Sequence, residues 1–389
     1  MKRILGVIIT VAVVVVVLSE SEPRGRGEII GDNTPVPAVG ELGGPDRVLS
    51  PPELTTWIEG RRLFDHDFHM DEGLGSPEYN GDSCRACHQF PAIGGHGGLD
   101  LNVSRFGDDG FGTQPFMNLP GGQAASKFRR VDIGGREEIP MNATVFEQRQ
   151  TPPLFGLGQV DSIFETAILA GQDPTDADGD GIFGVARMVS VAGLVEVGRF
   201  GWKNQVPRLA DFVRDAMGGE CGITVPDNGR GFGILMDDDG TPDPELTTQD
   251  LNKIAFFLQH LAPPPRAGST DPAVALGETL FAQVGCVKCH KPSLPGLEGD
   301  VPLYSDLLLH NVLGPSFRGM AEPGADVGMY GTPPLWGARL SAPYFHDGRA
   351  ETIADAIGMH QGEAAGVIAA FNLLSPSDQQ ALIDFVMDL

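Results

Sequence analysis

The sequence predicts an all-α protein built as two similar halves with long irregular loops. Three observations predict it. No strand-like alternation of apolar and polar residues persists for long, while Gly (53) and Pro (31) are abundant and aromatics make up only 7% of the chain, which suggests helices joined by shaped loops. Two helix-like segments, LTTQDLNKIAFFLQHL (Leu246 to Leu261) and LSPSDQQALIDFVMDL (Leu374 to Leu389), align without a gap. The phrase TPPLFG (Thr151 to Gly156) returns as TPPLWG (Thr332 to Gly337). Pro-Pro is too stiff for helix or strand interiors, so the phrase recurs because its whole neighbourhood does.

Taken in order, MKRILGVIITVAVVVVVLSESEP sets Lys2 and Arg3 before an uncharged apolar run from Ile4 to Leu18. Residues 1–19 read as a secretory signal or, since no small-x-small cleavage site follows, a retained membrane anchor. The run is short for a spanning helix, which needs about 20 residues. Residues 20–50 are Gly/Pro-rich and charged and read as a flexible tether. Residues 51–262 make the first half, with an insertion, and 263–389 the second; LAPPPRAGSTDP (Leu261 to Pro272) links them. GRRLF (Gly60 to Phe64) and GETLF (Gly277 to Phe281) occupy matching places near the start of each half. In the helix that closes the first half, Leu251, Ile254, Leu258 and Leu261 share one face behind a Thr cap. The net charge of -25 excludes a phosphate-backbone partner such as nucleic acid and favours a basic or cationic one.

The chemistry is carried by cysteine. Cys84, Cys87 and His88 form CRACH, and Cys286, Cys289 and His290 form CVKCH. Two thiols three residues apart can each add to one vinyl group of a haem, and the next residue places an imidazole under the iron. A redox dithiol or half a zinc site would need the Cys pair alone, but both pairs carry His. Two covalently bound c-type haems follow, and they agree with export, since such attachment occurs outside the bacterial cytoplasm. Cys221 is left over as a buried free thiol, an intermolecular disulfide or a reactive group.

Together with these motifs, the phrases DADGDGIFG, GRFGWKNQ, YSDLLLHNVLGP and FHDGRAETIADAIGMHQGEA give a chain that resembles the di-haem oxidoreductases assigned as thiol oxidoreductases or peroxidases, relatives of bacterial di-haem cytochrome c peroxidase. The resemblance covers most of residues 55–389. It implies a pair of cytochrome c folds with an electron route between two haems. It also implies that His360, fourteen residues after His346, is the distal ligand of the second haem, with Met359 as the adjacent competitor. Laying the halves together sets Trp202 opposite His346, and the resemblance implies that Trp202 relays electrons between the haems; a plain packing aromatic is the alternative. These two are the candidate catalytic residues. The position matching His360 is Ala216, so the first haem takes Met217 beside it or no distal ligand.

His66, His69 and His96 lie in loops around the first motif and read as solvent-facing, with a ligand or proton donor as the alternative; His310 belongs to the crevice wall, and His260 lies near a helix end. Asp176, Asp178 and Asp180 alternate before Gly181 as in the front of a calcium loop, but Arg187 at the twelfth place excludes an EF-hand; calcium or a solvated acidic loop remains.

The expected function is an exported, periplasmic oxidoreductase of peroxidase type that takes electrons at the second haem from a small redox carrier and reduces a small oxidant at the first. The catalytic Glu of the peroxidases is not found in its usual context after Trp202; Glu220 is near but not aligned. The alternatives are an electron-transfer cytochrome with both irons six-coordinate, and a thiol oxidoreductase using Cys221.

Overall fold

The computed structural model describes residues 34–119, 123–135, 138–227 and 235–389. The expected signal or anchor, and the tether as far as residue 33, lie outside the described residues. Among the described residues no helix is long and apolar enough to cross a membrane.

The helices that position the site are α1 (Pro51–Asp65), α2 (Leu209–Ala216), α3 (Thr248–Gln259), α4 (Pro272–Val284), α5 (Ile353–Met359) and α6 (Pro376–Asp388). Their starts are written in the sequence. Thr247 and Ser375 accept from the backbone N–H groups of Asp250 and Asp378, and Asp271 from that of Ala273, satisfying donors that a helix leaves unpaired. Pro51 and Pro272 occupy first-turn positions where no N–H is needed.

Helix α1 packs on α3, and α4 packs on α6. Both crossings turn on a glycine. A Cβ on Gly60 would overlap the carbonyl of Lys253, and one on Gly277 that of Ala381, so only glycine lets the helices approach this closely. Beside each contact two phenylalanines meet at the same spacing, Phe64 with Phe257 and Phe281 with Phe385, each at 5.4 Å between ring centroids. The repeated phrase closes each half identically: Gly156 N–H donates to Leu261 O, and Gly337 N–H to Leu389 O, both at 3.0 Å. These are the ends of the two segments that align in sequence.

The all-α expectation is corrected: the protein is mixed α and β, about 33% helix and 15% strand in several small sheets. The largest is antiparallel, with β1 (Val103–Gly107) at the centre between β2 (Ala124–Ala125) and β3 (Val145–Arg149). Another pairs β4 (Leu309–Asn311) with β5 (Met329–Gly331). These strands escape a hydropathy pattern because they run for two to five residues. In β3, moreover, the buried alternate positions are Val145, Glu147 and Arg149, two of them charged, while Phe146 faces out.

Two hydrophobic clusters form the interior. One gathers Trp57, Phe64, Phe257 and much of residues 154–261, and also takes Leu294, Val301, Leu303, Leu307 and Leu308 from beyond the linker. The other is built on α4 and α6 around Phe281 and Phe385. The described part of the expected tether lies along the first cluster, where Val36, Leu42 and Leu49 pack and Asp46 Oδ1 is 3.1 Å from His260 Nδ1.

Candidate functional site: two histidine-anchored crevices

Helix α4 ends at Gly285, whose left-handed backbone (φ 100) turns the chain directly into Cys286. In the first half Ser83 caps the short helix Cys84–Cys87. The histidine that follows each Cys pair is then fixed alike. His88 Nδ1 is 3.1 Å from Gly95 O, and His290 Nδ1 is 3.0 Å from Tyr304 O. One residue before each acceptor, Gly94 O and Leu303 O receive the N–H groups of Leu154 and Leu335 from the repeated phrases. A carbonyl only accepts, so each Nδ1 carries the proton and each Nε2 offers a lone pair, the tautomer an iron ligand needs. His360, at the end of α5, has the same arrangement with Nδ1 2.7 Å from Ala356 O.

Around the second Cys motif, Cys286, Cys289, His290, His360 and His346, with Trp202 from the first half, line one cavity of about 300 Å³, otherwise walled mainly by aliphatic, proline and aromatic side chains. Met217, Cys84, Cys87 and His88 do not line it. Trp202 donates from Nε1 to Gln150 O at 2.8 Å and meets His346 edge-on at 6.5 Å. His346 is buried and stacks on Tyr330 at 4.0 Å, and its buried Nε2, 3.9 Å from Asp347 Oδ2, makes no hydrogen bond among the described residues. Behind Tyr330 the Lys203 ammonium sits 4.3 Å from the ring centroid, held by the carbonyls of Asp326 and Met329. The mostly apolar walls, paired thiols and imidazoles with free Nε2 lone pairs suit a haem.

The rival readings of the Cys pairs fare worse. Burial pushes Cys84 and Cys286 up to about 12 and Cys87 up to about 11, far from the activated thiolate of a redox dithiol. Among the described residues, no converging set of metal donors includes two cysteines, so neither Cys pair forms half of a zinc site.

Around the first motif, Met217 is buried in the first cluster and opens the π turn Met217–Cys221 that follows α2. Burial drives the Cys221 thiol well above its ordinary value, and the neighbouring Cys84 adds to this. Burial also raises the Glu220 carboxyl, although Asn80 Nδ2 donates to it at 2.9 Å. His96, read from the sequence as solvent-facing, is instead buried, with Nδ1 3.0 Å from Gly97 O. His66 lies 3.0 Å from Glu72 in an exposed pair, and His69 caps the turn that follows it.

In the acidic loop the carboxylates that converge are those of Asp173, Asp176 and Asp178. Asp180 instead pairs with Lys288, inside the second Cys motif, at 2.9 Å. The sequence reading missed Asp173, as it missed Tyr330, Asp306 and Glu363; the last two stand in the quoted phrases YSDLLLH and HQGEA but had no assigned role.

Burial lowers His346, which is assigned to no iron, from 6.5 to about 4. The unfolded chain therefore binds more protons than the folded one between these values. Stability should be full above about pH 6.5 and fall as the pH drops towards 4. A denaturant midpoint markedly lower at pH 5 than at pH 7 is the expected result; equal midpoints would refute it.

Comparison with known proteins agrees with this chemistry. Residues 138–389 match the family described as "Di-haem oxidoreductase, putative peroxidase". No curated protein matches the chain. Among solved structures, hydrazine synthase of Kuenenia stuttgartiensis under 20 bar xenon shares 16% identity, with 100% of each chain covered and a TM-score of 0.42. A MauG-like protein associated with microbial copper homeostasis shares 14%, covering 92% of this chain and 94% of its own, with a TM-score of 0.44. Scores this low carry nothing about function. The family match spans well over half the sequence: the chain belongs to the di-haem oxidoreductase family, and haem is its cofactor.

Proposed function

We propose that the chain is an exported c-type di-haem oxidoreductase of peroxidase type, passing electrons from the second haem to a reactive first haem where a small oxidant such as a peroxide is reduced. The observation that carries this reading is the single cavity shared by Cys286, Cys289, His290, His360, Trp202 and His346, beside a first motif whose histidine is held in the same way. The haem, when bound, supplies an iron that exchanges single electrons and can take an oxygen ligand.

The chain's own groups do the rest. The four motif cysteines would fix the cofactors through thioethers, and His88 and His290 would hold the irons through Nε2. His360 would be the second ligand in the second half, which would suit electron transfer there. In the first half Met217 would be that ligand in an electron-transfer cytochrome, and its absence from the iron would leave room for a small oxidant. Trp202, clamped by Gln150 O against His346, is the relay. The raised Cys221 thiol lends no support to a thiol-based reaction. With a net charge of -25, the electron donor is a small basic carrier in the periplasm.

Electron paramagnetic resonance of the oxidised and one-electron-reduced protein tests the reading. A high-spin ferric signal in either state is expected; two low-spin signals in both would mean that both irons are closed and an electron shuttle is the better description. Trp202→Phe should slow electron passage between the haems by on the order of tenfold in stopped flow, about 1.4 kcal/mol on the barrier. An unchanged rate would remove Trp202 from the route.

A further inference from the structure

His310 lies in the wall of the second cavity, and both of its ring nitrogens are taken by carboxylates. Nε2 is 3.0 Å from Asp306 Oδ2, and Nδ1 is 2.9 Å from Glu363 Oε2. Neutral imidazole has one N–H, and an ionised carboxylate can only accept, so this double clamp requires a protonated ring. Burial opposes that charge, but the hydrogen bonds to Asp306, Cys289 and Glu363 outweigh it and push His310 up to about 12. Nδ1 also stands 3.9 Å from Cys289 Sγ. The ring lines the cavity while neither carboxylate does, so the cofactor meets the positive member of the triad first. Cys289, Asp306 and His310 also converge closely enough to hold a metal ion, but the second Cys motif already commits that sulfur.

We propose that His310, held as an imidazolium between Asp306 and Glu363 against Cys289, is a positioning residue that raises the reduction potential of the second haem. This rests on the c-type reading of the Cys286 and Cys289 motif. Adding an electron to the iron lowers its charge by one, and a fixed positive charge at the cofactor's edge favours that state. A second haem poised in this way accepts electrons readily from an outside carrier. Glu363 is itself fixed, accepting the N–H groups of Asn311 at 2.7 Å and Phe183 at 2.8 Å, so the triad is rigid.

Potentiometric titration of the full-length protein, following each haem by its own absorbance, tests the proposal. His310→Gln should shift the second haem's midpoint downward and leave the first unchanged. Should a carboxylate then capture a proton, it becomes neutral, and because neither carboxylate lines the cavity the negative charge removed lies farther from the haem than the imidazolium lost, so the direction would hold. Glu363→Gln, which keeps an acceptor oxygen and removes a negative charge, should shift the same midpoint upward. Opposite shifts are the signature; two shifts of the same sign, or none, would overturn the proposal, because a merely loosened wall would move both variants alike. If His310→Gln does not retain two haems, Glu363→Gln alone decides. A pyridine haemochrome count on the unmodified protein separates this outcome from failure of the c-type reading, which would show as fewer than two thioether-bound haems.

Discussion

Gly277→Ala lowers stability by about 2–3 kcal/mol, although alanine is the better helix former by roughly 1 kcal/mol. The added carbon has nowhere to go: it meets the carbonyl of Ala381 and the Cβ of Phe385, so α4 and α6 must separate and the Phe281–Phe385 contact opens. Gly60→Ala should behave the same way against Lys253 and Phe257. Gly358, in α5, has no atom within 4 Å of where its Cβ would lie, and Gly358→Ala should instead stabilise by about 0.5–1 kcal/mol. Urea midpoints of the three variants give the answer. Equal effects at all three positions would mean that the close crossings are not what these glycines are for.

On the proposed c-type reading, replacing Cys286 and Cys289 together by Ala should remove one of two covalent haems. The haemochrome count should fall from two to one, and the band that survives denaturing electrophoresis should keep only the first-half haem. Electron entry, which the proposed function assigns to the second haem, should be lost with it, so carrier-driven turnover falls by at least about a hundredfold. A double variant that keeps two covalent haems would exclude the second motif as an attachment site.

Much of this arrangement was legible in the sequence, because each half repeats the residues that do one physical job. Gly60 and Gly277, Phe64 and Phe281, and the two TPPL phrases recur, and the structure gives each pair one and the same role. The sheets were not legible. In β3, Glu147 and Arg149 are buried against each other and Arg149 also against Glu322, so charge stands where a strand reading looks for apolar residues. The wall of the second cavity was only half legible. His346 and His360 stand in one phrase to which the family resemblance points, whereas Tyr330 meets His346 across 16 positions and Glu363 reaches His310 across 53, separations for which local pattern gives no signal.

The five leucine and valine side chains that reach from beyond the linker into the first hydrophobic cluster set an order of assembly. As the chain emerges amino end first, Trp57, Phe64 and Phe257 can gather, but that interior stays incomplete until residues 294–308 arrive. Until then the earlier half exposes an unfilled apolar groove, the kind of surface that chaperones bind. Truncation before Leu308 would therefore harm the earlier half, and a nonsense change just past Cys289 would be felt at His88.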